Sequence, residues 1–553
     1  MLLLAGCVTG KVANLVVQGP VRQLRTRADG AAASSPDKPG ILLIALDGID
    51  RDLLYDLLKQ GQMPWLSMLL GADKNAFPHA HFDETLLSTM PSSTLAAWTT
   101  AMTGLPPAQH GVTGNEFFIR ETRQFAAPAP VSFSDSAPTL AVYTDQYMAD
   151  LTQAPTVYDR LRSTDPHALI WVAMHQLHSG ADTLLVTKRS IMAKAFEQVI
   201  EELAAKVSSD NEARGGFEKL DRQIISVIDE QLDKGQMPDV LTVYLAGTDL
   251  YAHVATEGPD QARRTYLTEV VDPALKDLAK RLDEHGALKN RYVIVTSDHG
   301  HTQVDYDDMH ALSTEAVDDP PAIIRGAGFR LRPFALKVAD SDDFNAVMAY
   351  GGAAAYVSVA NRTTCPNAKD RCDWAQPPRY EEDVLPMADA FYKNNLDGML
   401  APSMKGTLDL VLTRRPKPHF EVDLPFEVYV GNGKTVPLGA YLKEHPHPTY
   451  IGFEERLRDL AVGPLGERAG DVMLLAHNGD RETPTERYYF AARYRSWHGS
   501  PSRKDSQIPL IIAHPQHSAA ALKSRIESVL GPEPRRQQKV TDLILELRSG
   551  KEH

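Results

Sequence analysis

Three aspartates in this 553-residue sequence stand where an apolar run comes to its end: Asp47 after GILLIAL, Asp249 after VLTVYLAGT and Asp298 after RYVIVTS. Two of them travel with histidine, His253 four residues beyond Asp249 and His299 directly after Asp298. Carboxylate oxygen with imidazole nitrogen suits zinc or a similar divalent ion, and there are enough such groups for two ions. One Asp at a strand end is commonly a helix cap. Three, two of them with His, need another reason, because gathered acids repel one another unless cations neutralise them. A further stretch, MPSSTLAAWTTAMTG at 90–104, sets Ser92, Ser93 and Thr94 ahead of a short apolar helix that Gly104 would stop. By itself it reads as a helix cap. That reading changes only if other parts of the chain aim catalytic groups at the same spot.

Bringing these residues together requires a scaffold. The runs before the three aspartates, and a fourth near the C-terminus, QIPLIIAHP, are continuously apolar, as strands covered on both faces of a parallel sheet would be. FEKLDRQIISVIDEQL (217–232), YLTEVVDPALKDLAKRLDEHG (266–286) and the terminal VTDLILELRSG carry helical spacing. Strands alternating with helices predict an α/β fold, a doubly wound and mostly parallel sheet with helices on both faces. Ligands of such sheets sit outside the carboxyl ends of the strands, where all three aspartates stand. Residues 311–489 differ in texture, being Pro-rich with short strands such as AAAYVSVA and TLDLVLTRR. They are expected to form an inserted α+β cap between a first core segment, 39–310, and a C-terminal one, 490–553. A hydrophobic content of 43% and a charged content of 24% are ordinary for a globular chain. The net charge of -14 argues against binding a nucleic-acid duplex, and no apolar run reaches membrane-spanning length.

In chain order, ALDG, PSSTLAAWTTAMTG, LPPAQHGVTGN, GTDLYAH, TSDHGHT and WHGSPS make the sequence resemble the alkaline phosphatase superfamily, in particular its type I phosphodiesterase/nucleotide pyrophosphatase branch. These segments lie within 40–310 and 490–550, so the resemblance says little about the cap. It implies two divalent ions, zinc first among the candidates. Asp249, His253 and His498 would hold one; Asp47, Asp298 and His299 would hold the other, which also binds the nucleophile. In that branch the nucleophile is the hydroxyl ten residues before the Gly that ends the helix, here Thr94, with Ser93 the alternative if the register shifts by one. Ser92 and Ser93 are then turn and capping residues. The branch's phosphate-binding Asn matches Asn115 in GVTGNEFF. The implied chemistry is hydrolysis of a small phosphate ester or nucleotide, by two in-line displacements through a phospho-threonine.

In the superfamily's Thr-nucleophile monoesterases a Lys-x-Arg type pair falls where this sequence reads WVAMHQLHSGADTLL (171–185), which has no Lys or Arg, so diesters are the expected substrates. Arg120, Lys188 and Arg189 flank that region and could reach in. A phosphomonoesterase or phosphonate hydrolase of the same superfamily is the alternative. Outside the enzymes, the alternative is an envelope binding protein that has lost the chemistry, yet every position of the pattern is filled. His301 could support the metal site from behind, and His175 and His178 could line the substrate pocket. His110, His310 and the HPHP stretch at 445–448 are taken as structural.

The cysteines bear on location. Cys365 and Cys372, seven positions apart in the turn-rich TTCPNAKDRCDW, suit a local disulfide of an oxidising compartment. The opening MLLLAGC resembles the lipobox of bacterial lipoproteins, with lipid on Cys7, although the basic and most of the apolar parts of a signal peptide are missing. Either the true start lies upstream or the match is by chance. Residues 1–38 then form a lipoprotein-type N-terminus and a flexible tether ending in ADGAAASSPDKP. Both readings predict a periplasmic protein of a bacterial cell envelope, touching the membrane only through the lipid anchor.

Overall fold

A computed structural model of the chain describes residues 20–25, 38–129, 131, 142–143, 147–188, 191, 210–312, 319–333, 343–416 and 425–550. Cys7, Arg189 and most of the expected tether lie outside them. The strand Gly40–Leu46 is buried along its whole length, and its neighbours explain why. It pairs in parallel with Val240–Leu245 on one side and Arg291–Ser297 on the other. Strands 170–173 and 183–185 extend the parallel run, and Val21–Gln23 closes that edge antiparallel. Apolar side chains on both faces of these strands are covered by helices, as the continuous apolar runs require.

At the other edge the sheet changes direction. Leu510–Ala513, the strand of QIPLIIAHP, runs antiparallel to Arg291–Ser297 and to Ala80–Asp83. The eight-stranded sheet is thus parallel through its five middle strands and antiparallel at its margins. Of the expected helices, 217–232 lies within Asp210–Leu232. The 266–286 stretch is interrupted by a π-turn, Leu267–Val271, before Asp272–Glu284. Pro273 has no N–H to continue the regular ladder, and the wider turn takes up that break.

A second, antiparallel sheet of six strands is built from residues between 346 and 476. Alternation along its strands gives it two apolar faces. Met348, Val357, Val411 and Leu474 face one cluster with the Leu385–Asp397 helix; Ala349, Tyr356, Leu412 and Leu475 face another with the Phe453–Ala461 helix. Cys365 and Cys372 form a disulfide, packed with Phe118, Phe344 and Trp374. Among the described residues no helix is long and apolar enough to cross a membrane.

Candidate active site

The strand order decides where the aspartates meet. Gly40–Leu46 lies between the other two strands, with Leu46 opposite both Leu245 and Ser297. Neighbouring strands lie about 4.8 Å apart, so Asp47 and Asp298, one residue past their strand ends, share one rim with Asp249 from the helix Gly247–Val254. Gly48 makes the approach possible. Its φ is +69°, and a Cβ there would stand 2.7 Å from His301 Nε2 and 2.9 Å from Asp249 Cβ.

All three carboxylates are buried. Asp47 Oδ2 accepts the hydroxyl of Tyr244, and Asp298 Oδ1 accepts the Gly48 N–H at 3.1 Å. Asp47 Oδ1 and Asp298 Oδ2 have no hydrogen-bond partner. Both face His299 Nε2, at 3.6 and 3.3 Å. Burial, and then the neighbouring carboxylates, push Asp47 well above the usual carboxylate range; burial also raises Asp298. Without a counter-charge these acids resist carrying their charges together.

Four imidazoles complete the cluster. A two-residue ladder, Thr302–Gln303 against Ser496–Trp497, brings His498 to the side of His299 and His301. Asp505 pins the same loop, accepting Ser500 N–H at 3.0 Å and Thr302 Oγ1–H at 2.6 Å. Each ring uses Nδ1 on a fixed acceptor: His253 on the Ser496 carbonyl at 2.7 Å, His299 on the Gly300 carbonyl at 3.0 Å, His498 on the Ser92 carbonyl at 3.0 Å, and His301 on Ser496 Oγ at 3.1 Å. A carbonyl only accepts, so Nδ1 carries the proton in the first three. Burial holds His299 down to about 3, and His301 and His498 well below their ordinary value, so these rings stay neutral. Their Nε2 lone pairs point back toward the carboxylates.

Bare nitrogens and unpartnered carboxylate oxygens facing one another are the donor set a divalent cation needs, and a poor arrangement without one. Three groups have ligand atoms close enough to share an ion: Asp47, Asp298 and His299; Asp249, His253 and His301; and Asp249, His299 and His498. All seven residues fit a metal site on this ground. The first group is the set that the sequence resemblance implies. Around Asp249 the grouping differs, since His301 joins His253 there.

Thr94 opens the helix Thr94–Thr103, which Gly104 ends at φ +75°. Ser92 and Ser93 are fully buried, whereas Thr94 is partly exposed. Thr94 Oγ1 lies 3.1 Å from His299 Nε2. Ser93 occupies the N-cap position, but its hydroxyl makes no capping bond and is unpartnered, which corrects the capping role expected of it. Ser92 instead donates to the Ser500 carbonyl at 2.8 Å, tying the hydroxyl loop to the His498 loop. The helix start is served by Asn115, whose Oδ1 accepts the Leu95 N–H at 3.1 Å. With Oδ1 occupied, the Asn115 amide nitrogen is left to donate elsewhere.

Other candidates fall outside the cluster. Arg120 does not reach in: its guanidinium donates to the Val359 carbonyl and to Asp471, with Glu467 at 3.6 Å. Lys188 is exposed. His175 is fully buried against Trp98, and His178 borders a cavity of about 60 Å³ with Thr152, Thr156 and Gln176. His110 bonds Thr100 and Val112, His310 bonds Asp307, and His447 bonds Asp409. Tyr244 and Ser496 were missed in the sequence. The one signal for Tyr244 is a hydroxyl inside the apolar run VLTVYL; for Ser496 it is the nearness of His498.

The chain was compared with protein families, curated proteins and solved structures. The family model for type I phosphodiesterase / nucleotide pyrophosphatase matches residues 41–374. An uncharacterized pyrophosphatase/phosphodiesterase of Schizosaccharomyces pombe is 26% identical over 261 residues, which cover 47% of this chain and 44% of that protein. The match thus spans less than half the length of this curated relative. Among solved structures, murine ectonucleotide pyrophosphatase/phosphodiesterase 5, in an inactive form with AMP, aligns at 13% identity over 93% of this chain and 95% of its own, with a TM-score of 0.47. Phosphonoacetate hydrolase from Sinorhizobium meliloti 1021, with phosphonoacetate, aligns at 14% identity over 95% and 100%, with a TM-score of 0.47.

Proposed function

The chain belongs to the type I phosphodiesterase / nucleotide pyrophosphatase family, and from that premise we propose that it hydrolyses phosphoric esters, diesters before monoesters, with Thr94 as nucleophile. The observation that carries the reading is the meeting of Thr94 Oγ1 with His299 Nε2 at 3.1 Å, beside two buried carboxylate oxygens that have no partner.

Thr94 Oγ1 attacks phosphorus in line with the departing ester oxygen. The P–O bond to the leaving group breaks, the ester oxygen departs with the bonding pair and takes up the proton that Thr94 gives up, and the phosphoryl group stays on Thr94. A water then attacks from the vacated side, the bond from phosphorus to Oγ1 breaks, and Oγ1 regains a proton. Asn115 donates from its free amide nitrogen to a non-bridging oxygen, and the N–H groups of the first helical turn add positive field there. Divalent ions held by Asp47, Asp298 and His299, and by Asp249, His253 and His498, would lower the pKa of the hydroxyl and offset the phosphoryl charge.

The commitment of Arg120 to Asp471 and the Val359 carbonyl supports a diester, which brings less charge than a monoester dianion. The Cys365–Cys372 disulfide supports export to an oxidising compartment, and lipid on Cys7 remains part of that proposal. The test is a matched aryl monoester and its methyl diester, assayed on chelated protein with and without zinc. The reading expects zinc-dependent turnover and a higher kcat/KM for the diester. A ratio strongly favouring the monoester would move the protein to the phosphatases, and no turnover with ions bound would make it a binding protein.

A further inference from the structure

We propose that His301 is itself a ligand of the cation at Asp249, so that this corner draws on four protein side chains, Asp249, His253, His301 and His498, rather than three. The inference rests on the metal-dependent reading above. His301 Nε2 lies 2.7 Å from Asp249 Oδ1, nearer than His253 Nε2 at 3.4 Å or His498 Nε2 at 3.9 Å. The ring is fully buried.

Ser496 determines which nitrogen faces the carboxylate. Its hydroxyl donates to the Ala252 carbonyl at 2.7 Å, so toward His301 Nδ1 it can only accept. Its own carbonyl accepts from His253 Nδ1 at 2.7 Å. One residue thus places the proton on Nδ1 of both rings and turns both Nε2 lone pairs toward the same carboxylate oxygen. A residue that only oriented Asp249 from behind would present a donor to it; His301 presents the same atom, in the same tautomer, as His253. Gly48 fits this reading, because any Cβ there would displace His301 Nε2. Catalytic zinc has three protein ligands and can expand to five-coordinate in the transition state, so a fourth protein ligand still leaves a position for the phosphoryl group. A fourth protein ligand would slow loss of this ion.

The test uses full-length protein labelled with ¹⁵N-histidine and loaded with two equivalents of ¹¹³Cd²⁺, in which each ligating imidazole shows a one-bond ¹¹³Cd–¹⁵N coupling. The expected result is four coupled Nε2 signals in the wild type, one of which disappears in His301→Gln, a variant whose amide offers Asp249 the donor that a merely orienting residue would supply. Three coupled signals in the wild type, with Cd²⁺ bound, would overturn the inference and leave the metal-dependent reading standing. Failure to bind Cd²⁺ at all would overturn both. The wild-type count stands alone if His301→Gln does not fold.

Discussion

His299 and His498 lie face to face, their ring centroids 3.5 Å apart and their planes at 14°. The two residues are 199 positions apart in the sequence, and their contact joins the corner at Asp47 to the corner at Asp249. Removing ions should therefore disturb both corners. A chelator is expected to abolish turnover and lower Tm, and zinc should restore both, because Asp47 Oδ1 and Asp298 Oδ2 otherwise have no partner. Calorimetry with elemental analysis checks this. Full activity in protein shown to be metal-free would sink the assignment.

Thr94 and Ser93 separate by exposure. Thr94→Ala is expected to reduce kcat by a factor on the order of 10⁴ or more, with metal content nearly intact. Ser93→Ala should keep most activity, since the Ser93 hydroxyl is buried and unpartnered. The reverse outcome in a paired kinetic assay would move the nucleophile by one residue.

Asn115 serves the helix with one amide atom, and the proposed function gives the other to the substrate. Asn115→Asp keeps an acceptor for the Leu95 N–H but loses the donor. It should leave Tm nearly unchanged while lowering kcat/KM by about 10²-fold or more. Asn115→Ala should lose a similar amount of activity and in addition about 1 kcal/mol of stability, the usual cost of an N-terminal acceptor. Equal Tm losses in the two variants would contradict this division of labour.

Glu467 makes stability depend on pH. Burial pushes its carboxyl up to about 8, against the pull of Arg120. In the unfolded chain it titrates near the ordinary glutamate value, so between about 4.3 and this raised value the folded chain holds the extra proton. Its contribution is complete at low pH and is lost as pH rises toward 8. Glu467→Gln should therefore flatten the fall of Tm between pH 5 and 8. An unchanged slope in a thermal-shift series would show that the fall comes from elsewhere.

The Cys365–Cys372 bridge closes a short loop packed on Trp374. Cys365→Ser with Cys372→Ser is expected to cost about 2–3 kcal/mol while leaving kcat unaffected, because the bridge packs with Phe118, Phe344 and Trp374, none of them a ligand residue. Thiol labelling of protein from its native host should find both cysteines blocked. Freely reactive thiols there would remove the support for an oxidising compartment.

What the sequence determined on its own was local in origin. GILLIAL, and YVIV within RYVIVTS, are apolar without alternation, as a strand covered on both faces is, so the strands and the aspartates at their ends could be read directly. The alternation of strands with helices gave the fold class in the same way. Periodicity carries no record of which strand lies beside which. That Gly40–Leu46 falls between the other two strands, and that Leu510–Ala513 runs antiparallel, followed only from the assembled sheet. The proton on Nδ1 of His253 and of His301 depends on Ser496, more than 190 residues away. Arg120, a free cation in the sequence, is bound by Asp471 across a still longer separation. Side-chain type and spacing limit which atoms can ligate, donate or attack. Which of them meet, and which nitrogen or oxygen is left unpaired when they do, is decided by long-range packing.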